Sequence, residues 1–295
     1  LLVIQPRECE TDAVTTIGIP VVDDAPTHVE RMLRAAYATG LREVVLTGAL
    51  IDSQRRTVER VTRTLTGVTV ASESHDRVVV QSMLDASEVS IQQSVRQLQF
   101  VALSLHREAT AALTGGSRID DPAERDDQAD RLYALVDRYF WRGLSRLDEV
   151  DALDLTRPEL FTLWSTAREL ERVADHAERI ARLTAAATAE EATAAELQRL
   201  AADARSVVED AVSVALGDTG IDAARAALDT RERVREDAPA LERRLFEASD
   251  TDYRLARILD SLTRTAEHGG NIAELGLQSV IREDGLVEGT ELSTA

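Results

Sequence analysis

Two stretches of this chain, 92 residues apart, are near copies of one another. Leu170-Glu-Arg-Val-Ala-Asp-His-Ala-Glu-Arg-Ile-Ala-Arg-Leu183 and Leu262-Thr-Arg-Thr-Ala-Glu-His-Gly-Gly-Asn-Ile-Ala-Glu-Leu275 agree at seven of fourteen positions. A repeat at such a period marks a duplicated supersecondary unit, with the shared stretch at the same place in each copy. From Asp85 to about Arg282 apolar residues recur at steps of three and four, which is the helical period. Gly, Pro and Asp/Thr divide that pattern into six helices, at roughly 86–114, 120–147, 156–186, 189–217, 220–248 and 250–282. In the first, Val95, Leu98, Ala102, Leu105, Ala109 and Ala112 form the stripe. Gly115-Gly116 closes it, Asp121-Pro122 and Arg157-Pro158 open the next two, and Gly217 ends the fourth. Each copy of the repeat falls in the third helix of a triplet. The expected fold is therefore mainly α: two three-helix bundles in tandem, 85–187 and 188–283, related by pseudo-twofold symmetry, with a polar tail at 284–295.

A different period precedes the bundles. Val14 to Val22 reads as a strand, Ala25 to Thr39 as an amphipathic helix closed by Gly40, and Glu43 to Thr47 as a buried strand. Ser53 to Leu65 is a second helix followed by Gly67, and Val68–Ser72 and Arg77–Gln81 are two further strands. The order β-α-β-α-β-β over 13–84 describes a small α/β region without a glycine-rich phosphate loop.

Composition narrows the functions open to such a fold. The chain has 295 residues, with 53 Asp+Glu against 34 basic residues, a formal net charge of −19. Every basic residue is arginine. That charge repels a phosphate backbone and opposes non-specific docking on an anionic membrane. Strong acidity without lysine fits a salt-accumulating, halophilic cytoplasm, where the Debye length shrinks to about 3 Å near 1 M salt. Aromatics are 3 %, so the core must come from Ala, Leu, Val and Ile, which suits closely packed helices. The single Cys9 excludes an internal disulfide and any Cys-based zinc site, and it lacks the basic partner of a nucleophile. No apolar run approaches the ~20 residues of a membrane span. The chain opens without Met on Leu1-Leu2-Val3-Ile4, as a fragment would.

Four acids carry the strongest chemical signal. Asp126 and Asp130 on the second helix, and Glu171 and Asp175 on the third, stand four apart, so each pair lies on one helical face. On the third helix the apolar seam runs Leu163, Ala167, Leu170, Ala174, Ala177, and on the second Ala129, Leu132, Val136, Tyr139; the acids flank both seams. Asp137 and Glu178 extend the stripes by one turn. Clustered hard oxygen donors suit iron, manganese, magnesium or calcium, while in so charged a chain the same pairs are also expected of a solvated face. His176 and His268 occupy equivalent repeat positions and read as structural or outer-shell residues, and Trp141, Trp164, Tyr139 and Phe140 read as core. No serine has a nucleophile-elbow context.

The Leu170–Ala181 stretch resembles the signature of the PhoU family of phosphate-uptake regulators, whose third helices carry a Leu-Glu-Arg-Ile-Gly-Asp-His-Ala-type sequence. Glu124 to Tyr133 is similar to the Asp-x-x-x-Asp stretch of that family's second helix. The resemblance covers about residues 86 to 282. It implies paired three-helix bundles that bind multinuclear iron or related metals, with Asp126, Asp130, Glu171 and Asp175 as the metal positions of the first bundle. In the second bundle Thr263 replaces Glu171, Glu267 keeps an acid opposite Asp175, and Asp229 is followed four later by Arg233, which repels a cation. That site is expected to be degenerate.

The resemblance further implies a non-enzymatic, cytoplasmic regulator of phosphate uptake or phosphate-responsive transcription. Its expected partners are the phosphate transporter's ATPase, which would bring it to the membrane periphery, and a sensor kinase, and it is expected to be a homodimer. Haloarchaeal members are similar in placing an AbrB-like swapped-hairpin DNA-binding domain before the α/β region, and residues 1–12 would be its remnant, so DNA binding would need that domain. Two rivals remain: a metal-free helical interaction module, and a carboxylate-metal enzyme. The second usually employs a Glu-x-x-His motif projecting into the bundle, whereas here the histidine directly follows the acid.

Overall fold

Gly40 and Gly67 stand where the two N-terminal helices turn back into strands, both at positive φ (84° and 65°). A Cβ at Gly67 would also collide with the Leu84 side chain, so only glycine serves there. In the computed structural model, which describes residues 16–21, 25–116, 119–248 and 252–291 (283–291 by backbone alone), the chain divides into two compact units, Leu1–Glu88 and Val89–Ala295.

The first unit follows the expected order: β1 Thr16–Pro20, α1 Pro26–Ala38, β2 Glu43–Thr47, α2 Asp52–Thr64, β3 Val68–Glu73 and β4 Arg77–Ser82. The sheet order is β1-β2-β4-β3. β1 and β2 are parallel, as a crossover through α1 requires, and the other pairings are antiparallel, with a bulge between Val70 and Ser72. The central strands are buried in unbroken runs, Val44–Leu46 and Val78–Val80. Leu33 and Tyr37 of α1, Val61 of α2 and Leu65 just after it pack with Val44 and Val80 of one sheet face. Arg55 holds the β3–β4 turn by donating to the Ser74 and His75 carbonyls, both at 2.9 Å. Glu30 ties α1 to α2 by accepting from Arg60 at 2.7 Å, and that guanidinium holds its carboxyl below the ordinary range. The remnant expected at 1–12, Cys9 and the outer residues of the Val14–Val22 strand lie outside the described residues.

The second unit is helical: α3 Ile91–Ala111, α4 Pro122–Ser145, α5 Leu147–Ala152, α6 Arg157–Thr184, α7 Glu191–Ala215, α8 Ile221–Glu247 and α9 Tyr253–Glu291. The expected starts are capped. Asp121 accepts from the Glu124 amide, and Thr156 with Glu159 forms a capping box. Helices α3, α4 and α6 pack together as one bundle and α7, α8 and α9 as the other; α6 meets α9 and α3 meets α7 between them. The cores are aliphatic. Leu197, Leu200, Leu241, Ile258, Leu259 and Leu262 are buried together in the second bundle. Its helices approach very closely, because a Cβ on Gly269 would stand 2.8 Å from Val207 Cγ1 and one on Gly276 2.8 Å from Val214 Cγ1.

Three boundaries differ from expectation. The first helix begins at Ile91, after a 3₁₀ turn at Ala86–Glu88, because the Ser90 side chain caps it by accepting from the Gln93 amide. The second ends at Ser145, since Arg146 is extended and Glu149 is drawn inward to a buried ion pair with Arg142, forming the short α5. The last continues to Glu291 through the stretch expected as tail; Gly285 and Gly289 cost a helix about 1 kcal/mol each but do not end it.

Candidate functional site

α4 and α6 pack side by side. The α6 seam of Leu163, Ala167, Leu170, Ala174 and Ala177 is wholly buried, and so are Ala129, Val136 and Tyr139 on α4, while Leu132 is only half-buried. Burying those seams carries Asp126, Asp130, Glu171 and Asp175 to the mouth of the helix pair. Asp126 is less open than its sequence position implied: its Oδ1 is buried with no hydrogen-bond partner.

The electrostatics show that all four acids share one neighbourhood. The Asp126 carboxyl is pushed up to about 7, first by burial and then by the charges of Asp130, Asp175 and Glu178. Glu171 is likewise pushed up to about 7 by burial and by Asp175, Asp130 and Asp126. Burial also raises Asp175. Cations are also in reach: Arg172 Nε stands 3.9 Å from Glu171, Arg182 pairs with Glu178 at 2.9 Å, and Arg172, His268 and Arg182 oppose the rise at Asp175. Like charges held together lose free energy unless they take up protons or a cation. The orphaned oxygen of Asp126 and the hard donor set fit a cation. Among the described residues, no three His, Cys, Asp or Glu side chains already stand in a metal-holding geometry. The cluster is thus an electrostatic site with unclosed ligands.

The second bundle is different, and its register differs from the one expected. Asp229 and Arg233 are exposed, and Arg233 donates to Thr230 Oγ1 at 3.0 Å. The residues of α8 beside the repeat on α9 are Arg231, which covers Gly270 and binds Glu274 at 2.9 Å, and Arg235, which borders a gap with Thr263 and Glu267 but pairs with Glu232 of its own helix at 3.1 Å. Glu267 itself binds Arg264 at 2.9 Å.

The two repeat histidines meet where α6 crosses α9. The rings of His176 and His268 are 5.5 Å apart, and His268 Nδ1 lies 2.7 Å from Glu169 Oε2, which also accepts from Asn271 at 3.0 Å. Burial lowers His176 to about 4. His106 of α3, not singled out in the sequence, is fully buried and lowered to about 3, chiefly by burial; its Nδ1 is 3.2 Å from Arg205 of α7. Of the aromatics, Tyr139 and Phe140 are core as expected. Trp164 stacks on Phe140 at 4.2 Å and donates to Asp137 at 2.8 Å, but Trp141 is about half exposed.

Residues 95–184 match the model of the PhoU domain. This chain carries a PhoU domain. The match runs from Val95 in α3 to Thr184, the last residue of α6, so it spans the bundle that holds the four acids. The second bundle and the α/β unit lie outside it. No curated protein and no solved structure matches the chain. The PhoU domain is a helical domain of phosphate-homeostasis regulators. Among the described residues no helix is long and apolar enough to cross a membrane.

Proposed function

We propose that the chain is a non-enzymatic regulator of phosphate uptake or phosphate-responsive transcription, working through cation-dependent contacts with other proteins. The observation that carries this is the PhoU match over the bundle in which burial and neighbouring acids push Asp126 and Glu171 up to about 7. Asp126, Asp130, Glu171 and Asp175 would hold iron, manganese, magnesium or calcium. When bound, the ion supplies positive charge that locks α4 against α6. The partners are the phosphate transporter's ATPase or a sensor kinase, met by a homodimer on the cytoplasmic side. DNA would be reached through an N-terminal AbrB-like domain. The acids flank the seam instead of projecting into the bundle, which favours a surface role over chemistry.

Deleting the gene and measuring phosphate-dependent expression tests the assignment. Expression should lose its dependence on phosphate, and Asp126→Asn/Asp130→Asn should fail to restore it. Unaltered expression across phosphate levels would sink the pathway. The open ligand geometry favours a second reading, a metal-free interaction module. Metal analysis of protein purified without chelator separates the two, since an ion near Asp130 and Asp175 belongs only to the first.

A further inference from the structure

The chain's two tryptophans and two of its four phenylalanines stand together where the end of α4 meets the start of α6. Phe140 is the buried floor of the group. Trp164 stacks on it at 4.2 Å, Phe161 lies 6.5 Å away, and Trp141 meets it edge-on at 5.9 Å. The bundle cores are built mainly from Ala, Leu, Val and Ile, so core packing does not account for this concentration.

The outer side of the group is open. Trp141 and Phe161 are each 47 % exposed. Leu144, one turn past Phe140, and Leu147, which opens α5, are exposed as well. An exposed apolar surface with a polar rim marks a place where another molecule binds, and tryptophan is among the residues that dominate such contacts. The surface is held in shape from beneath. Trp164 donates its indole N–H to Asp137 at 2.8 Å, and the buried Arg142–Glu149 pair fastens α5 to α4. Groups fixed in advance lose little freedom on binding.

Charge selects the occupant. Arg146 and Asp148 neutralise each other at 2.6 Å. The exposed charges that remain along α5 and the start of α6 are Asp151, Asp154 and Glu159 against Arg157. A second copy would bring the same acidic rim and its own net charge of −19, and like charges across a contact repel. The rings favour a cationic partner too, since a guanidinium already lies over one of them, Arg168 over Trp164 at 5.7 Å.

We propose that this surface docks an amphipathic helix of another protein. Its apolar side covers Trp141, Leu144, Leu147 and Phe161, and its flanks carry arginine or lysine. The surface lies about three helical turns from Asp130 along α4 and from Glu171 along α6. Docking there does not depend on whether the four acids hold a cation.

Both tryptophans belong to the surface, so the fluorescence of the full chain reports on it directly. Two helical probe peptides without aromatic residues share one leucine face; one carries arginine on its flanks and the other glutamate. The arginine peptide should shift the tryptophan emission to the blue and, by calorimetric titration, bind at least about 10-fold more tightly than the glutamate peptide. Trp141→Ser/Phe161→Ser should weaken it by about 10-fold or more, and Leu144→Ser/Leu147→Ser should repeat the loss. Phe246→Ser, which removes an exposed apolar residue of α8, should leave it unchanged. No binding of the arginine peptide, or equal affinity for both peptides, would overturn the basic partner. Binding that both double variants leave intact would overturn the surface itself, the charge of the whole chain then being the attraction. Self-association of the chain without peptide, seen by sedimentation and abolished by the same variants, would assign the surface to a second copy and overturn the proposal.

Discussion

The two bundles share a repeat and a packing plan but carry different charges beside the seam. In the first, burial and neighbouring acids push Asp126 and Glu171 up to about 7, with Arg182 paired to Glu178 and Arg172 3.9 Å from Glu171. In the second, Arg231 pairs with Glu274, Arg235 with Glu232 and Arg264 with Glu267. Duplication preserves the helix seams, which are set by shape, more strictly than the flanking charges, which are free to invert so long as each bundle stays neutralised.

The largest expected effect is on cation binding. Asp130→Asn with Asp175→Asn should weaken manganese affinity by at least about 10–100-fold, the scale typical of disturbing a metal site, while Glu267→Gln in the second bundle should leave it unchanged. Equal losses from both, read by calorimetric titration, would make the bundles equivalent and break the comparison.

Packing gives the next effect. The second bundle depends on bare backbone where α9 crosses α7, and the first has Ala177 at the place of Gly269. Gly269→Val should cost about 1–3 kcal/mol by overpacking against Val207 and Val208. Ala177→Gly, in the buried seam of α6, should cost nearer 1 kcal/mol from helix propensity. Urea unfolding of each variant in chelator measures both. A tolerated Gly269→Val would mean the two helix pairs are no differently spaced.

Much of this was legible before any coordinates. The α/β unit followed from glycines placed after each helix and β-branched runs between them, and the four acids followed from their spacing beside an apolar seam. The register of the second bundle did not. Asp229 and Arg233 have the right spacing on α8 but face solvent. The stripe that fixes α8 was blurred because Ala223, Ala224, Ala226 and Ala227 let almost any face pass for the buried one. The short α5 was hidden for a related reason: Glu149 reads as a surface acid, and only its buried pairing with Arg142 draws the chain inward. Charge spacing is a local signal, whereas the side a helix turns toward its neighbour is decided by tertiary packing.

The pH dependence sharpens the contrast, provided it is read as a difference. Folding raises Asp126 from 3.8 to about 7. Between about pH 4 and 7 the folded chain holds a proton that the unfolded chain has released, so stability falls as pH rises through that window. Asp126→Asn removes this loss. The variant should exceed wild type most above pH 7, and its advantage should fade to nothing near pH 4. Wild type alone would not show the effect, since His106 and His176 are lowered to about 3 and 4 and act oppositely: below 6.5 the unfolded chain gains protons that the folded chain refuses. Unfolding curves of variant and wild type at several pH values, without metal, give the difference. A constant offset across the window would remove the crowding from the account.

The smallest effect concerns one ion pair in each bundle. Glu178 binds Arg182 at 2.9 Å beside Asp126, and Glu274 binds Arg231 at 2.9 Å over Gly270. Exposed pairs contribute only about 0.2–1 kcal/mol, and Arg182 and Glu274 are both well exposed, so neither loss should be large. The signs should nevertheless differ. Glu274→Gln strips Arg231 of its carboxylate and should cost a few tenths of a kcal/mol or somewhat more, because the Arg231 Nε is already buried without a partner. Glu178→Gln loses a pair of similar strength but also removes a charge that acts on Asp126, so the two contributions should cancel or leave a slight gain. Urea midpoints in low salt with chelator resolve the difference, and 1 M salt should erase it by screening. If Glu178→Gln destabilised the chain as much as Glu274→Gln, the first bundle's acids would not be repelling one another in solution. The contrast between the two bundles would then rest on shape alone.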